Sequence, residues 1–183
     1  MNIKRFRNVS KFLSWSLKIL GSFGIAILIL GLALSFFADT GTSFSVEMPE
    51  GGNIMFQDSR VTDADHAFTA LLVAPIFLFL YSYIYFKGSF LFDRLADGET
   101  PFTFNFAESV KWISLLLIAN DVLRPLLYSL IINLRAEEGH YFNFGLTETF
   151  IIGLILYIVS GVLKYGISLQ ELSDDHGLIW IKL

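Results

Sequence analysis

The sequence predicts an all-α membrane protein: a bundle of four transmembrane helices with a small extracytoplasmic β-hairpin in the first loop. Three observations lead there. Hydrophobic residues make up 54% of the 183-residue chain and charged residues only 16%, with a mean hydropathy of +0.61. A soluble domain is typically about 45–50% apolar and about 25% charged. The charges collect between long apolar blocks, as they do when lipid is the solvent. Lys and Arg are also shared very unequally among the segments between those blocks.

The first span is expected at about 14–37, after a basic start of Lys4, Arg5, Arg7, Lys11 and Lys18. Its uncharged run, 19–37, is longer than the roughly 7–15 residues of a signal-peptide core, so it reads as a retained helix. The second is expected at about 67–87, the third at about 109–134 and the fourth at about 144–168. Each approaches the roughly 17–25 residues that a spanning helix needs. Pro75 and Pro125 fall inside the second and third. Membrane helices tolerate proline where neighbours satisfy the freed carbonyls, so kinks rather than ends are expected there. The loops are then 38–66 and 135–143 on one side and 88–108 on the other, with a tail at 169–183.

Orientation follows from the cations. The N-terminal segment, the middle loop and the C-terminal end hold Lys4, Arg5, Arg7, Lys11, Lys18, Lys87, Arg94, Lys111, Lys164 and Lys182. The other two loops hold only Arg60 and Arg135. Positively charged loops stay inside, which puts both termini in the cytoplasm. In the acidic first outer loop, 43–48 and 53–57 favour strands around the turn residues Pro49, Glu50, Gly51 and Gly52, hence the expected hairpin.

Inside the third span stand Asn120, Asp121, Arg124 and Tyr128. Ionisable residues in a membrane cost about 2.5–3.5 kcal/mol on insertion scales and are candidates for function. The i,i+3 spacing of Asp121 and Arg124 favours mutual neutralisation, with Asn120 and Tyr128 completing the network. A self-paired structural element is the favoured reading, and a proton, ion or ligand site the sharper one. Gly21, Gly24, Gly31 and Ser35 line one stripe of the first helix with Leu28. Small residues let helices approach closely in lipid, here for packing within the bundle, with a homodimer seam as the alternative.

Several classes of chemistry find no support. The absence of cysteine excludes disulfides, thiolate metal sites and cysteine nucleophiles. No phosphate-binding glycine loop, nucleophile elbow or zincin helix is present, so no enzyme and no cofactor is expected. Asp63, Asp65 and His66, like Asp174, Asp175 and His176, lack an established metal-ligand spacing. No basic, aromatic-laced patch suggests nucleic acid. The expected partners are the bilayer and a protein at the cytoplasmic face.

Two cytoplasmic stretches carry a resemblance. Asp97-Gly98-Glu99-Thr100-Pro101-Phe102-Thr103, with Asn105 beyond, precedes the third span. Lys164-Tyr165-Gly166-Ile167-Ser168-Leu169-Gln170-Glu171, with Asp174 and Asp175, follows the fourth. Together they resemble bacterial domain-of-unknown-function family 2975, small four-helix membrane proteins with a GePFT-type segment and a YGxxLQxExD-type tail. The tail departs after Glu171, where Leu172, Ser173, Asp174, Asp175, His176 and Gly177 do not reproduce the family's acidic-then-threonine ending. The resemblance implies a non-enzymatic membrane partner or regulator, since members are often encoded beside helix-turn-helix transcription factors. Thr103 or Asn105 is expected to cap the third helix, and Tyr165, Leu169 and Leu172 to form an apolar edge on the tail. The rival expectations are a small transporter built on Asp121 and Arg124, and an immunity or envelope-stress protein using the outer hairpin.

Overall fold

A computed structural model describes the backbone of residues 3–37, 54–136 and 139–181, and the side chains of all these but 3, 34–37 and 174–181. The order is α1 Ile3–Phe37, β1 Ile54–Gln57, α2 Asp63–Ala96, α3 Phe104–Arg135, β2 Tyr141–Phe144 and α4 Glu148–Ile181. All four helices are long and apolar enough to cross a membrane. About 20 residues at about 1.5 Å each suffice for that, so each helix also projects beyond the span.

The helix ends have local causes. Thr62 caps α2 in a reciprocal box: its hydroxyl accepts from the Asp65 N–H, and the Asp65 carboxylate accepts from the Thr62 N–H. At the other end of α2, Gly98 takes φ +99°, a conformation open to glycine at little cost. The Gly98 N–H then donates to Leu95 O and the Glu99 N–H to Arg94 O, which closes a Schellman cap. Thr103, not Asn105, caps α3 by accepting from the Phe106 N–H at 3.3 Å. Both α2 and α3 run on through Pro75 and Pro125.

Packing is serial. Among the described residues α1 approaches α2, α2 approaches α3 and α3 approaches α4, but α1 and α4 do not meet. The four helices therefore form an open row rather than a closed ring. The buried core lies between α2 and α3 in two clusters. One comprises Val61, Ala70, Val73, Phe77, Tyr128, Ile132 and Tyr141; the other Ile84, Leu91, Val110, Ile113 and Leu117. The flanking helices leave large apolar side chains uncovered, among them Phe23 and Ile29 on α1 and Ile158 and Val162 on α4.

Glycines set two of the seams. A Cβ on Gly21 would meet the Phe86 ring at 3.1 Å, and one on Gly24 the Ser82 hydroxyl at 2.5 Å. This part of the α1 stripe is spent on α2, as packing within the bundle requires. Gly31 faces open space, and the Ser35 side chain lies outside the described residues. On α4, a Cβ on Gly153 would sit 2.7 Å from Ile118 and 3.1 Å from the Ser114 carbonyl.

One strand of the expected hairpin is described, and it has a partner that the sequence reading did not include. Residues 54–57 do form a strand, but it pairs antiparallel with β2 of the second loop, in the register Ile54↔Phe144 to Gln57↔Tyr141. The strand expected at 43–48 lies outside the described residues. The sheet thus ties the α1–α2 loop to the α3–α4 loop, helped by an Asp58 N–H bond to His140 O at 2.9 Å. The fourth helix, expected to begin near residue 144, begins at Glu148 because 141–144 is this strand.

Substituting Gly161, where an added Cβ would meet no side chain or neighbouring element within 4 Å, by Ala should raise the apparent melting temperature in detergent, through a stabilisation of about 1 kcal/mol from helix propensity. Gly153→Ala should lower it instead, because the clash with a backbone carbonyl costs about 1–3 kcal/mol. Equal effects of the two would count against the close α3–α4 seam.

Candidate functional site

Asp121 and Arg124 do not pair. Asp121 is buried, and both its carboxyl oxygens are taken by Thr147, whose N–H donates at 2.7 Å and whose hydroxyl donates at 2.6 Å. Thr147 stands just ahead of α4, so Asp121 anchors the start of that helix. The expected self-neutralised pair is therefore corrected. A neighbouring segment offers two donors to the carboxylate, which outcompetes a guanidinium on the same helix.

Asp121 belongs to a polar stripe on α3. Near the C-terminal end of α3, the Asn133 amide both donates to Tyr141 O and accepts from the Tyr141 N–H, each at 2.7 Å. The Ser129 hydroxyl accepts from the Asn143 N–H at 3.0 Å and donates to Asn143 O at 3.2 Å. Residues 121, 129 and 133 are spaced by multiples of four, which keeps them on one helix face. Together they satisfy backbone groups along 141–147 that no helix or strand ladder could satisfy on that side. Asn120 is fully buried, and its amide has no hydrogen-bond partner among the described residues.

Tyr128, buried on α3, meets His66 of α2, with its hydroxyl 3.0 Å from Nδ1. His66 stacks on Tyr128 and meets Tyr141 edge-on. Gln57 of β1 reaches the other imidazole nitrogen at 3.3 Å. Burial pushes the Tyr141 phenol above its usual pKa, partly offset by a hydrogen bond with Asn143. Arg135 pairs with Asp65 at 3.0 Å and lies over the Phe68 ring. Asp65 and His66, weighed as metal ligands from sequence, are thus engaged by protein groups. Among the described residues no cluster of three metal-binding side chains occurs, and the side chains of Asp174, Asp175 and His176 lie outside them.

Arg124 is half-buried and lines a cavity of about 210 Å³ between α2 and α3, together with Val73, Ala74, Phe77, Tyr81 and Tyr128. It makes no hydrogen bond or ion pair among the described residues. Two of the four residues grouped in the sequence, Arg124 and Tyr128, therefore share a cavity, while Asp121 serves α4.

The opposite end of the molecule gathers the 97–105 turn and the start of the tail. Lys164 of α4 pairs with Glu108 of α3 and lies over the Phe104 ring. Arg94 closes the turn with Glu99 at 2.6 Å, while Arg7 of α1 donates to Ala96 O at 2.6 Å. Asp93 is shared by Ser14 and Lys18, each at 2.6 Å. Around this ionic frame Gly98, Phe102, Asn105, Tyr165, Leu169, Gln170 and Glu171 are exposed, and Pro101, Thr103 and Gly166 half-buried. Tyr165, Leu169 and Leu172 do share one uncovered edge, with Ile167 turned inward. The sequence reading missed Lys164–Glu108, Thr147 and Ser129. The four-residue spacing in α3 was the available signal for Ser129; nothing in sequence announced the others.

Compared with known protein families, with curated proteins and with solved structures, the chain finds no match.

A double-mutant cycle of Asp121→Ala with Thr147→Ala should give a coupling of about 1.5–3 kcal/mol in unfolding experiments, the range for hydrogen bonds to a charged group. The Asp121→Ala and Arg124→Gln cycle should give coupling near zero. A large coupling in the second cycle would restore the intrahelical ion pair.

Proposed function

We propose that this chain is a non-enzymatic inner-membrane protein that holds a cytoplasmic partner against the membrane through the 97–105 turn and the proximal tail. Both termini face the cytoplasm. What supports the orientation is charge: Arg7, Lys18, Arg94 and Lys164 make their contacts at one end of the helix row, and Arg60 and Arg135 make theirs at the other.

The observation that carries the docking role is the exposed apolar edge of Phe102, Phe104, Tyr165, Leu169 and Leu172 beside the Lys164–Glu108 pair. Large apolar groups grouped on a polar frame mark interaction surfaces. They lie outward of cations that would stay at or beyond the inner headgroups, so lipid tails do not cover them. The resemblance to family 2975 implies the kind of partner, a small helix-turn-helix regulator. Against the transport reading stands the engagement of its carboxylate, Asp121, by the N–H and hydroxyl of Thr147 just ahead of α4.

Tags at the two ends should both be accessible from the cytoplasm alone. Co-purification in mild detergent with a helix-turn-helix regulator, if the gene beside this one encodes one, should succeed, and Leu169→Glu with Leu172→Glu should weaken it at least tenfold without loss of membrane insertion. Undiminished binding by that variant removes the proposed surface. No binding at all removes the regulator.

A further inference from the structure

We infer that the cavity between α2 and α3 receives the phosphate head of an anionic membrane lipid, with Arg124 as its counter-charge. This is independent of the cytoplasmic docking surface. A guanidinium stays protonated under all ordinary conditions, so it cannot escape its cost by neutralising. It needs an anion or several acceptors. The carboxylate nearest in sequence, Asp121, is saturated by Thr147, and no other described residue hydrogen-bonds or ion-pairs with Arg124. A planar fork of donors matches a phosphate in two-point geometry.

The rest of the cavity argues for a lipid over a soluble anion. Its wall is apolar, with Val73, Ala74 and Phe77 facing Arg124, and the phenols of Tyr81 and Tyr128 add polar groups. Tyr128 is already bound to His66, which leaves Tyr81 able to donate to a head-group oxygen. At about 210 Å³ the space is smaller than the roughly 300–1,000 Å³ of pockets that enclose a whole small ligand. It suits the head end of an amphiphile whose chains lie outside. Ile76, Phe79 and Leu123, adjacent in sequence to lining residues, are exposed and supply apolar surface for such chains.

The test is native mass spectrometry of the full chain in detergent, titrated with dioctanoyl phosphatidylglycerol, dioctanoyl phosphatidylcholine or inorganic phosphate. Retention of phosphatidylglycerol over phosphatidylcholine is expected, with no displacement by inorganic phosphate. Arg124→Gln should lose at least tenfold in affinity, and Arg124→Lys should recover part of it. Ala74→Phe, which fills the cavity and keeps the charge, should also weaken binding, whereas Arg135→Gln at the same end should not. Unchanged binding by Arg124→Gln, equal retention of the two lipids, or an equal loss in Arg135→Gln would overturn the site. Displacement by inorganic phosphate alone would instead make it a soluble-anion site and overturn the lipid assignment.

Discussion

Residues 141–147 run as extended chain against the flank of α3, and their backbone groups find partners there in Asn133, Ser129 and Asp121. A buried peptide group left without a partner costs about 1–3 kcal/mol, and more where lipid replaces water. Three polar side chains on one face of α3 remove that cost at successive levels. Much of the molecule is positioned by them. β2 is held where β1 can pair with it, and Thr147 is pinned at the level of Asp121. From that pin α4 descends in register, with Gly153 against Ser114 and Ile118, and Lys164 against Glu108.

The same commitment explains the charge left over. With both oxygens of Asp121 engaged, Arg124 has no counter-ion among the described residues and borders an apolar cavity. A half-buried cation without a partner persists where something outside the chain can satisfy it. The serial packing reinforces the point. A closed ring of helices would cover both faces of α2 and α3, whereas an open row leaves apolar flanks on α1 and α4 that only lipid or another protein can cover.

At the opposite end one hydrogen bond, Arg7 to Ala96 O, and three ion pairs, Lys18 to Asp93, Arg94 to Glu99 and Lys164 to Glu108, together span all four helices. Exposed salt bridges contribute little stability singly, typically about 0–1 kcal/mol. Their use here is geometric. They hold the turn and the first part of the tail side by side, and so keep Phe104 and Tyr165 on one surface.

Helix number was legible in the sequence because it depends on apolar run length, and the Thr103 cap and the turn at Gly98 were legible because both are local; the Thr62 cap was not read. The spans came out short of the full helices because hydropathy registers the apolar core and not the polar turns that continue from it. The strand at 54–57 was also legible, but its partner was not. An extended segment announces itself by composition, whereas the edge it meets depends on which loops the helices bring together. Asp121 shows the same division most sharply. Its charge and its neighbour Arg124 were evident, and spacing alone favoured their pairing. Only the packed chain brought Thr147 alongside with two donors, because contacts across 26 residues are set by how helices lie and not by periodicity within one of them.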